Sequence, residues 1–244
     1  MDWTKAKSIL IVALIVTNLV LIGTYFFQEY RFRSNEEEMR IATIKLLEDK
    51  NIFVETEIPE MHGRMPKITV QYDKINQDVI EEQLANHKTL AAGKVTDDNL
   101  IALTTEFLEQ CNLMTENVTF DTIERTGKNI RVTYKNYLNG YAIEESYIIF
   151  TVTDGRITDM KRFWLNPIEV SDTEKGVISA VAALIRFMSE NTEEEKIHVQ
   201  DISLVYWLDA SAFDAESPVT DTAFPAWKIT YNRGKTQYVS AWEQ

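Results

Sequence analysis

Residues Ser8 to Phe27 read SILIVALIVTNLVLIGTYFF, an apolar run with no charge and no proline. About 20 helical residues match a hydrocarbon layer ~30 Å thick, so the run predicts a membrane-spanning helix. Beyond it the pattern becomes that of a folded domain. Met39, Ile41, Ile44 and Leu47 form one stripe of a helix over about 36–49. A short strand at Ile52–Glu57, a Pro/Gly-bearing loop at Pro59–Pro66, a strand at Lys67–Tyr72 and a helix near Gln77–Asn86 follow. The stretch KTLAAGK (Lys88–Lys94) reads as a linker.

From Thr96 a helix carries Leu100, Leu103, Phe107 and Leu108, and strands are predicted at Val118–Glu124, Ile130–Tyr137, Ile143–Val152 and Arg156–Leu165. Asp154-Gly155 is a two-residue hairpin signal between the last two. The pattern then recurs. Ser171 and Glu174 stand at capping-box spacing before Val177, Ile178, Val181, Leu184, Ile185 and Met188, which predicts a second helix. Strands at Val199–Leu208, Ala226–Asn232 and Thr236–Ala241 follow, with Arg233-Gly234 as the last tight turn. The fold class expected is α+β: an N-terminal transmembrane helix, then two similar lobes, each a helix with an antiparallel sheet. The expected units are 1–34 (tip and anchor), 35–93 (stalk helix and small α/β unit), 94–168 (first lobe) and 169–244 (second lobe).

The apolar run ends in Tyr25-Phe26-Phe27, a poor signal-peptidase site, which favours an uncleaved anchor. Trp3, Tyr25 and Tyr30 suit an interfacial aromatic belt. Lys5 and Lys7 on one side are balanced by Arg31 and Arg33 on the other. The acidic far side (Glu29, Glu36 to Glu38) and the length of the C-terminal region favour a cytoplasmic N-terminus and an extracytoplasmic domain.

The formal charge of −13 argues against a nucleic-acid partner, which selects a basic footprint. Cys111 is the single cysteine, so no intramolecular disulfide forms; its apolar neighbours mark it as a small hydrophobe. His62, His87 and His198 fall in three segments, none with a metal-ligand partner at helical spacing. No nucleophile elbow, phosphate loop or dinucleotide fingerprint is present. Glu144 and Glu145 are adjacent, and on a regular strand they point to opposite faces. No enzyme activity, cofactor or metal is expected.

Two sets of residues remain as candidate contacts. Thr17 and Asn18 fall near mid-membrane, where an amide is costly unless another helix supplies a hydrogen-bond partner. With Ala13 and Thr24 they make a face of small and polar residues that permits close helix approach. In the C-terminal lobe, Trp227, Tyr238 and Trp242 are candidates for an ectodomain interface, since Trp and Tyr dominate hot spots. Sheet cover is the simpler use of such aromatics.

The opening Met1-Asp2-Trp3-Thr4-Lys5-Ala6-Lys7-Ser8-Ile9, leading into the apolar run with Asn18-Leu19, resembles the start of the YycI (WalI) proteins. The loop Ile58-Pro59 to Met65-Pro66, the Asp154-Gly155 hairpin and the closing Pro225-Ala226-Trp227, Ile229 and Tyr238-Val239 are similar as well. The C-terminal lobe also resembles PepSY-like units, in which a P-A-W strand precedes a hairpin. The resemblance implies a protein without an active site that sits beside YycH and the sensor histidine kinase WalK (YycG) in the membrane of Gram-positive bacteria. Its membrane helix would contact the kinase's helices and adjust control of cell-wall metabolism. The implied partners are the kinase and a YycH-like protein. A reading from another class stays open: an exported module that captures a peptide or cell-wall fragment in a PepSY-like aromatic groove.

Overall fold

The computed structural model describes residues 14–22, 24, 37–60, 63–91, 93–192, 195–208 and 220–242. After a helical stretch over 14–22 the elements are α1 (37–49), β1 (Ile52–Val54), β2 (Arg64–Tyr72), α2 (Gln77–Asn86) and α3 (Asp97–Gln110). Next come β3 (Val118–Thr126), β4 (Asn129–Leu138), β5 (Tyr141–Thr153), β6 (Arg156–Phe163) and β7 (Leu165–Gly176). The last are α4 (Ala180–Glu190), β8 (Ile197–Trp207), β9 (Thr220–Tyr231) and β10 (Lys235–Ser240). This is an α+β chain built on one ten-stranded sheet with the path β3-β4-β5-β8-β9-β2-β7.

Two hydrophobic cores lie on that sheet. In the first, α3 turns Leu100, Leu103, Phe107 and Leu108 inward at helical spacing. They meet Val132, Tyr134, Ile148 and Phe150 of β4 and β5, and Ile80 of α2 joins them. The Thr96 side chain caps α3 by accepting from the Asn99 amide at 3.4 Å. In the second core, Leu184 and Phe187 of α4 pack with Val199, Tyr206, Trp227 and Ile229 of β8 and β9. Leu47 of α1, Ile52 of β1 and Met65, Ile68 and Val70 of β2 complete it.

The expected pattern of a helix followed by antiparallel strands is present twice, as α3 with β3–β6 and as α4 with β8–β10. The two halves meet at a single parallel pairing, Ile143 with Tyr206. Asp154 (φ 50°) and Gly155 (φ 79°) make the β5–β6 hairpin. Both residues need left-handed backbone, which selects Asp-Gly. Asn139 (φ 52°) and Gly140 (φ 85°) turn β4 into β5 by the same chemistry, a signal the sequence reading passed over.

Three expectations change. Ser171 and Glu174 do not cap a helix. They belong to β7, which pairs with β2 from Leu165–Tyr72 to Gly176–Arg64. The helix begins at Ala180 under Ser179, whose Oγ accepts from the Ala182 amide at 3.2 Å. Long-range pairing outweighs a local capping signal worth about 1 kcal/mol. Secondly, the strand expected over Arg156–Leu165 is interrupted at Trp164, where β6 ends and β7 starts, so a boundary at 168 falls inside β7. Thirdly, residues 37–60 and 63–91 pack with both halves. β1 pairs with β8, β2 pairs with β7 and β9, and Ile80 enters the first core.

Candidate functional site

The polar residues of the sheet converge where the two halves meet. Lys135 pairs with Tyr147 and the next residue, Asn136, pairs with Ile143, so β5 bulges over 144–146. Glu145 takes up the distortion with φ 62°. The bulge buries Glu144, which is 8% exposed, and aims it across the seam at Lys228 of β9. The Lys228 Nζ donates to Glu144 Oε1 at 2.5 Å, and Lys135 Nζ lies 3.7 Å from the same oxygen. Lys135 also approaches Asp121 at 3.8 Å. Glu144 Oε2 and Asn136 Oδ1 are buried without a hydrogen-bond partner. Ser146 and Asn136 clamp the β6–β7 joint: Leu165 N donates to Ser146 Oγ at 3.0 Å, and Asn136 Nδ2 donates to Leu165 O at 2.8 Å.

Two phenols border this seam. Burial pushes the Tyr238 hydroxyl well above the ordinary tyrosine range, and the Glu144 and Glu145 carboxylates push it further. Tyr137 is raised by burial first, then by Asp121 and Glu144, with Lys228 opposing. Both phenols are neutral at physiological pH. The cluster binds β3, β4, β5, β9 and β10 together electrostatically. Lys228, Lys135 and Asp121 escaped the sequence reading. Alternation alone puts Lys228, between the buried Trp227 and Ile229, on the other face of β9, where it is half-buried, and no local pattern pairs it with Glu144.

The aromatic candidates separate. Trp227 is 1% exposed, and its Nε1 donates to the Ile178 carbonyl at 2.9 Å. It belongs to the second core and is not an interface residue, because its ring and its donor are both satisfied inside. Tyr238 is half-buried and stacks on Trp207 at 5.2 Å between centroids. Trp242 is half-buried too. Its Nε1 donates to Met65 O at 3.3 Å, Phe224 meets it edge-on at 5.3 Å, and Lys175 Nζ sits 4.6 Å over the ring. Trp207 and Phe224 are register partners, so both aromatic pairs gather at one end of the β8–β9 ladder. Together they form a rim at that end of the sheet.

Thr17 and Asn18 lie on the helical stretch 14–22, whose side chains are exposed all round. The Thr24 hydroxyl donates to its own helix at Leu21 O, 2.9 Å away. Ala13 and half of the apolar run 8–27 lie outside the described residues. Among the described residues no helix is long and apolar enough to cross a membrane. Cys111 is half-buried, and burial pushes its thiol up, away from reactivity. Among the described residues no three His, Cys, Asp or Glu side chains could hold a metal ion.

The family model for YycI protein matches residues 33–242, which span both cores and the seam. The chain belongs to the YycI family. YycI proteins are regulators associated with the YycG (WalK) histidine-kinase two-component system and are not known as an enzyme family. No curated protein matches the chain. The YycI match covers α1 through β10 and begins beyond the apolar run, so it bears on the folded region.

Proposed function

We propose that this chain is a membrane-anchored, non-catalytic subunit that adjusts a WalK-like sensor histidine kinase together with a YycH-like protein. The apolar run 8–27 crosses the membrane with its N-terminus in the cytoplasm, and the sheet domain lies outside. Ala13, Thr17, Asn18 and Thr24 meet the kinase's membrane helices, and Tyr238 and Trp242 are the ectodomain's contact residues. The YycI match over residues 33–242 carries this reading. It is supported by the helical stretch 14–22, whose large apolar side chains from Leu14 to Ile22 are each more than half exposed. A helix apolar on every side is suited to lipid or to another helix.

The coupling route is physical. α1 follows the anchor in sequence, and Thr43 and Leu47 are buried where α1 meets the domain. A shift of the anchor is thereby transmitted to the second core, and through it to β8, β9 and the seam. Thr24 contributes no free donor to a partner, because its hydroxyl is already engaged with Leu21. Asn18 is the residue with an amide to offer.

The test is co-purification of the full chain with the kinase in mild detergent. The kinase is expected to elute with the wild-type chain. Asn18→Leu should weaken the association several-fold, the ~0.6–2 kcal/mol of an interhelical hydrogen bond. A kinase that never co-elutes, while the chain inserts normally, would remove this reading.

A further inference from the structure

We infer that the hollow between the start of β8 and the β9–β10 turn is a binding site for a phosphate monoester of a sugar or polyol. The inference rests on that hollow and is independent of the kinase assignment.

The hollow holds ≈ 500 Å³, within the range of small-ligand sites. Lys196, His198, Arg233 and Lys235 are four of its eight lining residues. The whole chain carries 38 acids against 25 Lys and Arg, so this share of bases runs against its composition. Among the described residues no carboxylate forms an ion pair with Lys196 or Arg233. Two unpaired cations lining one hollow give an acidic chain a local positive field.

The backbone brings these groups together. Asn232, Arg233 and Gly234 join β9 to β10 with φ of 41°, 66° and 92°. Asn and Gly take left-handed backbone readily, whereas Arg does so at a steric cost. Strain of this kind collects where a turn holds a ligand. The Asn232 side chain ties the turn to β8. Its Oδ1 accepts from the His198 amide at 2.8 Å, and its Nδ2 donates to the Lys196 carbonyl at 3.0 Å. Lys196 and Arg233 therefore stand on two segments locked to each other. On the β1 side, the His198 ring stacks on Phe53 at 5.5 Å, and Lys196 Nζ lies 5.9 Å over the same Phe53 ring.

The lining names the class of ligand. Arg233 offers a planar fork, and Lys196 and Lys235 offer point charges. A phosphate monoester has three free oxygens and close to two charges at neutral pH, enough to meet all three cations. A carboxylate has two oxygens and one charge and leaves a cation unmatched. Glu55 and Glu195 also line the hollow, and carboxylates only accept hydrogen bonds. The His198 Nδ1 lies 2.7 Å from Glu55 Oε1 and holds that carboxylate beside β1. Bare phosphate gives these acids no donor. Hydroxyls on the organic part of the ester supply donors to them.

The test follows the ³¹P signal of glycerol 3-phosphate titrated with the full chain in non-ionic detergent. A saturable shift is expected. Inorganic phosphate, which lacks the hydroxyls, should compete at least tenfold more weakly, and acetate more weakly still. Arg233→Gln with Lys196→Gln should weaken binding at least tenfold. Lys128→Gln with Lys161→Gln removes the same charge from the β3–β4 turn and β6 and should leave affinity within twofold. Absence of a saturable shift overturns the inference. Acetate competing as well as the ester means adsorption of any anion and overturns it, and inorganic phosphate competing equally means that the hydroxyls are not read and overturns the ester. Equal losses in the two double variants mean that net charge alone acts, which overturns the site. The competition arms use the wild-type chain, so a variant that fails to fold leaves the inference testable.

Discussion

The first core is assembled from residues between 75 and 164, a contiguous stretch, whereas the second gathers residues from 44 to 241. Leu100, Leu103 and Phe107 meet partners fewer than sixty residues away. Trp227 and Ile229 share their core with Leu47 and Ile68. The first half is therefore a local fold, and the second is a closure of both ends of the chain. α1, which follows the apolar run in sequence, is tied into that closure through Ile44 and Leu47. The seam at Glu144 and Lys228 joins the two.

The sharpest test of this contrast is cavity formation in each core. Trp227→Ala should cost about 3–5 kcal/mol and release amide-exchange protection in β1 and β2 as well as in β8 to β10. Phe107→Ala should cost about as much while β9 and β10 keep their protection. If Trp227→Ala leaves β1 and β2 protected, the second core is not one unit.

The seam comes next. Lys228→Met leaves the Glu144 carboxylate buried with Lys135 as its remaining cation, 3.7 Å away. A loss of about 3 kcal/mol is expected in denaturant unfolding, the lower end of the range for breaking a buried pair. The double variant with Glu144→Gln should recover part of that loss. A loss below 0.5 kcal/mol would mean that the halves are joined by backbone pairing alone.

Gly155→Ala is a smaller effect confined to the first half. Gly155 has φ 79°, and a Cβ there would sit 2.5 Å from the Leu90 carbonyl oxygen. The Leu90 amide donates to the Gly155 carbonyl at 2.8 Å, so the 88–94 segment is docked on this hairpin. A cost of about 1–3 kcal/mol, with raised exchange at 88–94, is expected.

The smallest effect is alkaline. Burial raises Tyr206 to about 12. A group with a raised folded pKa contributes stability that is complete below its unfolded value near 10 and is lost as pH climbs through its folded value. Tyr206→Phe should therefore flatten the fall in stability between pH 10 and about 12 and leave pH 7 nearly unchanged. Absorbance titration of the phenolates reads the same shift.

The same contrast explains what was legible in the sequence. The helix stripe from Leu100 to Leu108 and the Asp154-Gly155 turn are local signals, and they predicted α3 and the β5–β6 hairpin correctly. Ser171 and Glu174 match a local capping motif and so predict a helix start inside the end of β7, because the partner strand β2 lies about a hundred residues earlier. Trp227 was read as a candidate contact because no local pattern tells a buried tryptophan from an exposed one. The seam depends on a bulge at Glu145, and nothing in the order of residues announces a register shift.

In the function proposed above, the chain adjusts a sensor kinase through its apolar N-terminal run. The direct measurement is kinase autophosphorylation in proteoliposomes, alone, with the full chain, and with a chain whose residues 8–27 are replaced by an all-leucine helix. The rate should change several-fold with the full chain and return to the kinase's own value with the replaced anchor, the sheet domain remaining folded in both. A rate that is the same with and without the full chain would contradict the account.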